Sequence, residues 1–156
     1  MLEQQLLVLR LQPTATSQTV VEAGTGAPLG FSRWRKARTW FQRLFVGDVL
    51  EVHEHEDEPL LFTVRRCWSF AARSLVWDAD DMPVGVLDGT QLLDRLGRLF
   101  SVRQREGDRV VFRTTTGCTV AEASPMAETV RLSFHSVVEN QPFAKMLLLA
   151  AVLSVQ

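Results

Sequence analysis

The sequence predicts a closed antiparallel β-barrel of roughly a dozen strands wrapped around one hydrophobic helix, and three observations predict it. Short runs rich in Val, Leu, Phe and Thr recur along the chain, several alternating apolar with polar residues as half-buried strands do. Clusters of Gly, Pro and Asp separate these runs, as hairpins require. The chain closes on PFAKMLLLAAVLSVQ, where Ser154 is the sole polar residue between Met146 and Val155. A helix built there is apolar on every face, so something must surround it on every face, and a curled sheet can do so. A bilayer span needs ~20 apolar residues, and this run, interrupted by Lys145, falls short of that. No transmembrane span is expected.

From the N-terminus, the strand candidates are LLVLRLQ, TVVEA, PLGFSRW, DVLEVHE, LLFTVRR, SLVWDA, PVGVLD, LFSVRQR, RVVFRT, CTVAEA and TVRLSFHS. GTGAP, DEP, DADDMP, REGDR and TTTG supply turns between them. Two further segments carry helical spacing. TQLLDRLGRLF sets Leu92, Leu93, Leu96 and Leu99 near one stripe, which predicts a helix weakened by Gly97, or a single turn before a strand. RWRKARTWFQRLF sets Trp34, Ala37, Phe41, Leu44 and Phe45 on one face, although a strand running through Arg33 fits as well. An internal repeat supports hairpin assembly: VVEAGTGAPLGF and LVWDADDMPVGV align without a gap, and FRTTTGCTVAEA is a degraded third copy. In the C-terminal helix, Met146, Leu147, Leu148, Leu149, Val152 and Leu153 would each contribute about 1.5–3 kcal/mol by burial, before entropy is subtracted.

At 156 residues the chain is the size of one domain spanning 1–156, and 46% hydrophobic with 22% charged residues argues against wholesale disorder. A net charge of −1 gives no overall pull towards nucleic acid. Cys67 and Cys118 are too few for a disulfide framework, and MLEQQLLVLRLQP has no secretory pattern, which together predict a reducing, cytoplasmic setting.

EPLLFTVRRCWSFAARSLVWDADDMPVGVLDG, then GRLFSVRQREGDRVVFR and the closing NQPFAKMLLLAAVLSVQ, resemble in their order the Tubby C-terminal-like group. The likeness is nearest to its phospholipid scramblase and LURP-one-related branch and covers about residues 59–156. It implies the barrel around a helix reached above, and a single-domain, bacterial-type member. For function it implies lipid contact, since Tubby domains bind phosphoinositide head groups and scramblases are linked to calcium-dependent lipid movement. This chain lacks a proline-rich N-terminal arm and a cysteine cluster, so scrambling itself does not carry over.

FSRWRKARTWFQRLF is the leading binding candidate, with five basic and no acidic side chains interleaved with aromatics. Arg33, Trp34, Arg35, Lys36, Arg38 and Arg43 are expected to meet an anionic lipid head group or membrane surface, placing the protein at the membrane periphery. The same residues could instead be a solvated face over core aromatics, or the interface for a protein partner. DADDMPVG carries Asp78, Asp80 and Asp81, but Met82, Pro83 and Gly89 stand where a calcium loop needs ligands, and a hairpin tip explains it better. EVHEHEDEP sets His53 and His55 on one strand face, the start of a metal site in search of further ligands; an exposed hairpin arm is the stronger reading. No nucleophile elbow, phosphate loop or zinc-protease motif accompanies Cys67, Cys118 or His135, so a non-catalytic module without a cofactor is expected.

Overall fold

The computed structural model describes residues 1–12, 18–35, 48–54, 59–66 and 73–154. Their strands are β1 (Leu6–Gln12), β2 (Gln18–Ala23), β3 (Pro28–Arg35), β4 (Val49–His53), β5 (Leu60–Arg66), β6 (Arg73–Asp78), β7 (Pro83–Asp88), β8 (Gln91–Asp94), β9 (Leu99–Glu106), β10 (Arg109–Arg113), β11 (Thr119–Met126) and β12 (Thr129–Phe134). Each pairs antiparallel with its sequence neighbours, and β1 pairs with β12, so the sheet closes into a barrel without an edge. A 3₁₀ turn, Ser136–Val138, leads into the helix α1 (Pro142–Leu153).

The two ends of the barrel are built differently. At one end the hairpins turn in two residues: Gly89-Thr90 after β7, Gly107-Asp108 after β9 and Ala127-Glu128 after β11, with Gly89, Gly107 and Ala127 at positive φ. This is the tight-turn end. At the other, the hairpins β2–β3, β4–β5, β6–β7, β8–β9 and β10–β11 each carry a register shift in the same place. The residue left over is Leu29, Leu61, Val84, Phe100 or Val120, and each packs on the core. A bulge turns one extra apolar side chain inward and sharpens the local twist, which helps the sheet to close. The repeat seen in sequence is thus one bulged hairpin used five times.

The turns at this bulge end also repeat. Ala23, Asp78, Asp94 and Thr114 each accept a hydrogen bond from the amide three residues on and donate their own amide to the carbonyl four residues on. The third residue after each, Gly26, Asp81, Gly97 or Gly117, sits at positive φ. Asp94 therefore begins a turn, and TQLLDRLGRLF forms β8, a turn and the start of β9: the turn before a strand that Gly97 allowed, not the helix of the leucine spacing. Leu96 and Leu99 are consequently exposed. Of RWRKARTWFQRLF, Arg33, Trp34 and Arg35 belong to β3, and the remainder lies outside the described residues.

Every residue of α1 from Lys145 to Leu153 is buried. At about 100° per residue that run covers all faces of a helix, and the side chains around it are the inner faces of the strands, Leu9, Val52, Phe62 and Leu132 among them. The helix fills the barrel. It comes nearest to β7, where Gly85 leaves room: a Cβ there would collide with the Leu93 carbonyl oxygen and lie 3.1 Å from Leu147 Cδ1. Lys145 is buried with its Nζ donating to the carbonyls of Leu2 (2.8 Å) and Gln4 (3.4 Å), 5.4 Å from the Phe134 ring centroid. Burial pushes its pKa below the ordinary lysine value, against the pull of Glu139 and Glu3.

Candidate functional site

Strand alternation decides what β3 presents. Ser32 is buried and Trp34 pairs with buried Leu50, so these two face the core, while Arg33 and Arg35 face solvent. Arg33 Nε donates to Glu51 Oε2 at 3.0 Å and Arg35 Nη1 to Glu51 Oε1 at 3.3 Å. Burial works against charge on Glu51, but these two arginines outweigh it and hold its carboxyl below the ordinary value. Two cations share one anion here, and the arginine side chains remain 53% and 76% exposed, so an outside anion can compete for them. Trp34 packs beneath the Arg66 guanidinium at 4.8 Å, and Arg66 also donates to the Ser154 carbonyl oxygen at the end of α1. Trp34 is partly buried against the core, and Arg66 links it across β5 to the end of the helix. β3 ends and β4 begins at the tight-turn end; Lys36, Arg38 and Arg43 lie outside the described residues.

The other sequence candidates are occupied elsewhere. His53 stacks on Phe31 with centroids 5.0 Å apart, 3.8 Å from Glu51 Oε2. His55 and Cys67 lie outside the described residues, and no group of three or more His, Cys, Asp or Glu suited to a metal occurs among the described ones. Asp78 Oδ1 accepts from the amides of Asp80 (3.0 Å) and Met82 (2.8 Å), which makes it a turn-former. Cys118 is an exposed, free thiol in a bulge-end turn, and His135 Nε2 is 3.5 Å from Glu122 Oε1.

A feature missed in the sequence lies inside the tight-turn mouth. Across the two-residue turn Gly107-Asp108, Arg105 pairs with Val110 and Arg103 with Phe112. Phe112 is fully buried, so Ser101 and Arg103 lie on the inward face of β9, and Arg105, exposed at the rim, follows on the same face. Arg103 and Arg105 border a cavity of about 230 Å³ whose other walls include Val110, Phe112, Ala123, Pro125, Val130, Ala151 and Val152, with Asp108 at the turn. The signal was present, because the register of a two-residue hairpin places residues 103 and 112 face to face.

No protein-family model matches the chain, and no curated protein matches it. Among solved structures, the X-ray structure of a protein from Arabidopsis thaliana, AT5G01750, superposes with a TM-score of 0.63 over 96% of this chain and 90% of that one, at 12% identity. The class defined is that of closed barrels filled by a C-terminal helix. At that identity the likeness is one of fold.

Proposed function

We propose that the protein is a non-catalytic binding module, a member of the Tubby C-terminal-like group near its scramblase and LURP-one-related branch, that recognises anionic lipid head groups or an anionic membrane surface. The observation that carries the reading is the placing of Arg33 and Arg35: exposed, sharing one carboxylate, at the end of β3 from which the chain continues into Lys36, Arg38 and Arg43. Guanidinium groups held by weak, screened surface pairs exchange partners readily, and phosphate is a better one than a single shared carboxylate. Such a protein works at the cytoplasmic face of a membrane without crossing it; no helix among the described residues is long and apolar enough to cross. Trp34, partly buried under Arg66, lies beside these arginines on the same strand.

A second reading, a module for a protein partner, is favoured by the bulge end. There Met82, Leu96 and Phe143 are exposed around a groove of about 400 Å³. Co-sedimentation with vesicles separates the two readings. Binding to phosphoinositide-containing but not neutral vesicles, weakened by salt and abolished by Arg35→Glu, Lys36→Glu, Arg38→Glu together, is the expected result. Equal recovery of wild type and variant with the vesicles would overturn the head-group reading.

A further inference from the structure

The inner wall of a filled barrel is ordinarily apolar, and an arginine on it breaks the pattern that closes the fold. β9 breaks it at Arg103, with Arg105 following on the same face at the rim. Arg103 is partly buried, opposite Phe112, and has no ion-pair or side-chain hydrogen-bond partner among the described residues; Arg105 donates from Nε to the Gly107 carbonyl oxygen at 3.2 Å and meets no carboxylate there. Arg10, Arg65, Arg73, Arg98 and Arg113 each hold a carboxylate within 3.3 Å, and the other described arginines that hold none, Arg66, Arg95 and Arg131, are exposed, whereas Arg103 is partly buried. A departure from local consistency without a compensating partner marks a functional position more often than a structural one. Here it borders an opening whose remaining wall is mostly hydrocarbon.

Size and charge then narrow the occupant. The cavity, about 230 Å³, exceeds the ~150 Å³ that holds a benzene ring and falls below the ~300 Å³ where drug-sized pockets begin. A long acyl chain does not fit. Asp108 leaves the charged lining with one net positive charge, which suits a single anionic head. We propose that the tight-turn mouth binds a small anionic amphiphile, its carboxylate or phosphate held by Arg103 and Arg105 and its apolar body, roughly eight non-hydrogen atoms, enclosed by Val110, Phe112, Val130 and Ala151. The site uses none of the residues of the head-group reading, so either stands without the other.

Calorimetric titration of the whole protein with monomeric octanoate, octyl phosphate and neutral octanol tests it. Saturable one-to-one binding of at least one anion, about tenfold or more tighter than octanol, is expected. Arg103→Gln with Arg105→Gln should cost the anion about tenfold while leaving octanol unchanged. Ala151→Leu, which fills the cavity from the helix, should weaken all three probes, with circular dichroism confirming that each variant is folded. No saturable binding of either anion overturns the proposal, as does anion affinity unchanged in both variants. If the double variant fails to fold, unchanged anion affinity in Ala151→Leu overturns it alone. Vesicle co-sedimentation of the arginine double variant keeps the two readings apart: loss of octanoate with retained vesicle binding is the expected pairing.

Discussion

Leu148→Ala measures whether the helix is the core of the barrel. Leu148 is fully buried midway along α1, with neighbours on both sides buried as well. The substitution removes about three methylene equivalents, ~2.4 kcal/mol of transfer free energy. The barrel has no edge along which the walls could collapse onto the gap, so much of the cavity cost adds to this, and the total comes to about 3–5 kcal/mol. For a chain of this length, roughly 3 °C per kcal/mol lowers the melting temperature by about 9–15 °C. Phe143→Ala on the same helix is the control, because Phe143 is 51% exposed and should cost under about 1 kcal/mol. Urea unfolding followed by tryptophan fluorescence, with calorimetry, reads both. Equal midpoints for the two variants would refute the placing of α1 inside the barrel.

Three further outcomes follow from the same geometry. Leu148→Asp places an unpaired charge at the barrel centre and should yield no cooperative unfolding transition by calorimetry; a transition like that of wild type would mean an exposed helix. Gly85→Ala should destabilise by about 1–3 kcal/mol in urea unfolding, since its Cβ meets the Leu93 carbonyl; unchanged stability would show that β7 and β8 can separate freely. Glu51, with its folded pKa lowered, contributes stability that is present above its unfolded value near 4.5 and is lost as pH falls through the lowered folded value. The gap in melting temperature between wild type and Glu51→Gln should therefore close on acidification, and a gap that widens would reverse the assignment.

Alternation, turn residues and an all-apolar terminal helix made the barrel legible, because each is a local pattern with one geometric meaning. TQLLDRLGRLF left helix and turn both open, because four leucines near helical spacing compete with the aspartate-x-x-glycine spacing that marks the turn. Asp94 and Gly97 do for β8–β9 what Thr114 and Gly117 do for β10–β11. Three repeats were visible through Pro-x-Gly and its degraded form, whereas the β4–β5 and β8–β9 copies carry Leu60-Leu61-Phe62 and Leu99-Phe100-Ser101 at the bulge, which is a matter of backbone register and leaves little trace in composition. The basic segment drew notice as contiguous charge. Arg103 and Arg105 did not, since two arginines spaced by one residue look like any solvated strand until closure turns their face inward.

The central claim is that ligands meet this barrel at its tight-turn end. Hydrogen-exchange footprinting on phosphoinositide-containing vesicles tests it most directly. The expected result is protection at residues 33–35, at the tight-turn end, with none at the bulge-end turns 78–82 and 94–98. Protection confined to those bulge-end turns, or to the Leu96 and Phe143 groove, would contradict it and assign binding to the opposite mouth.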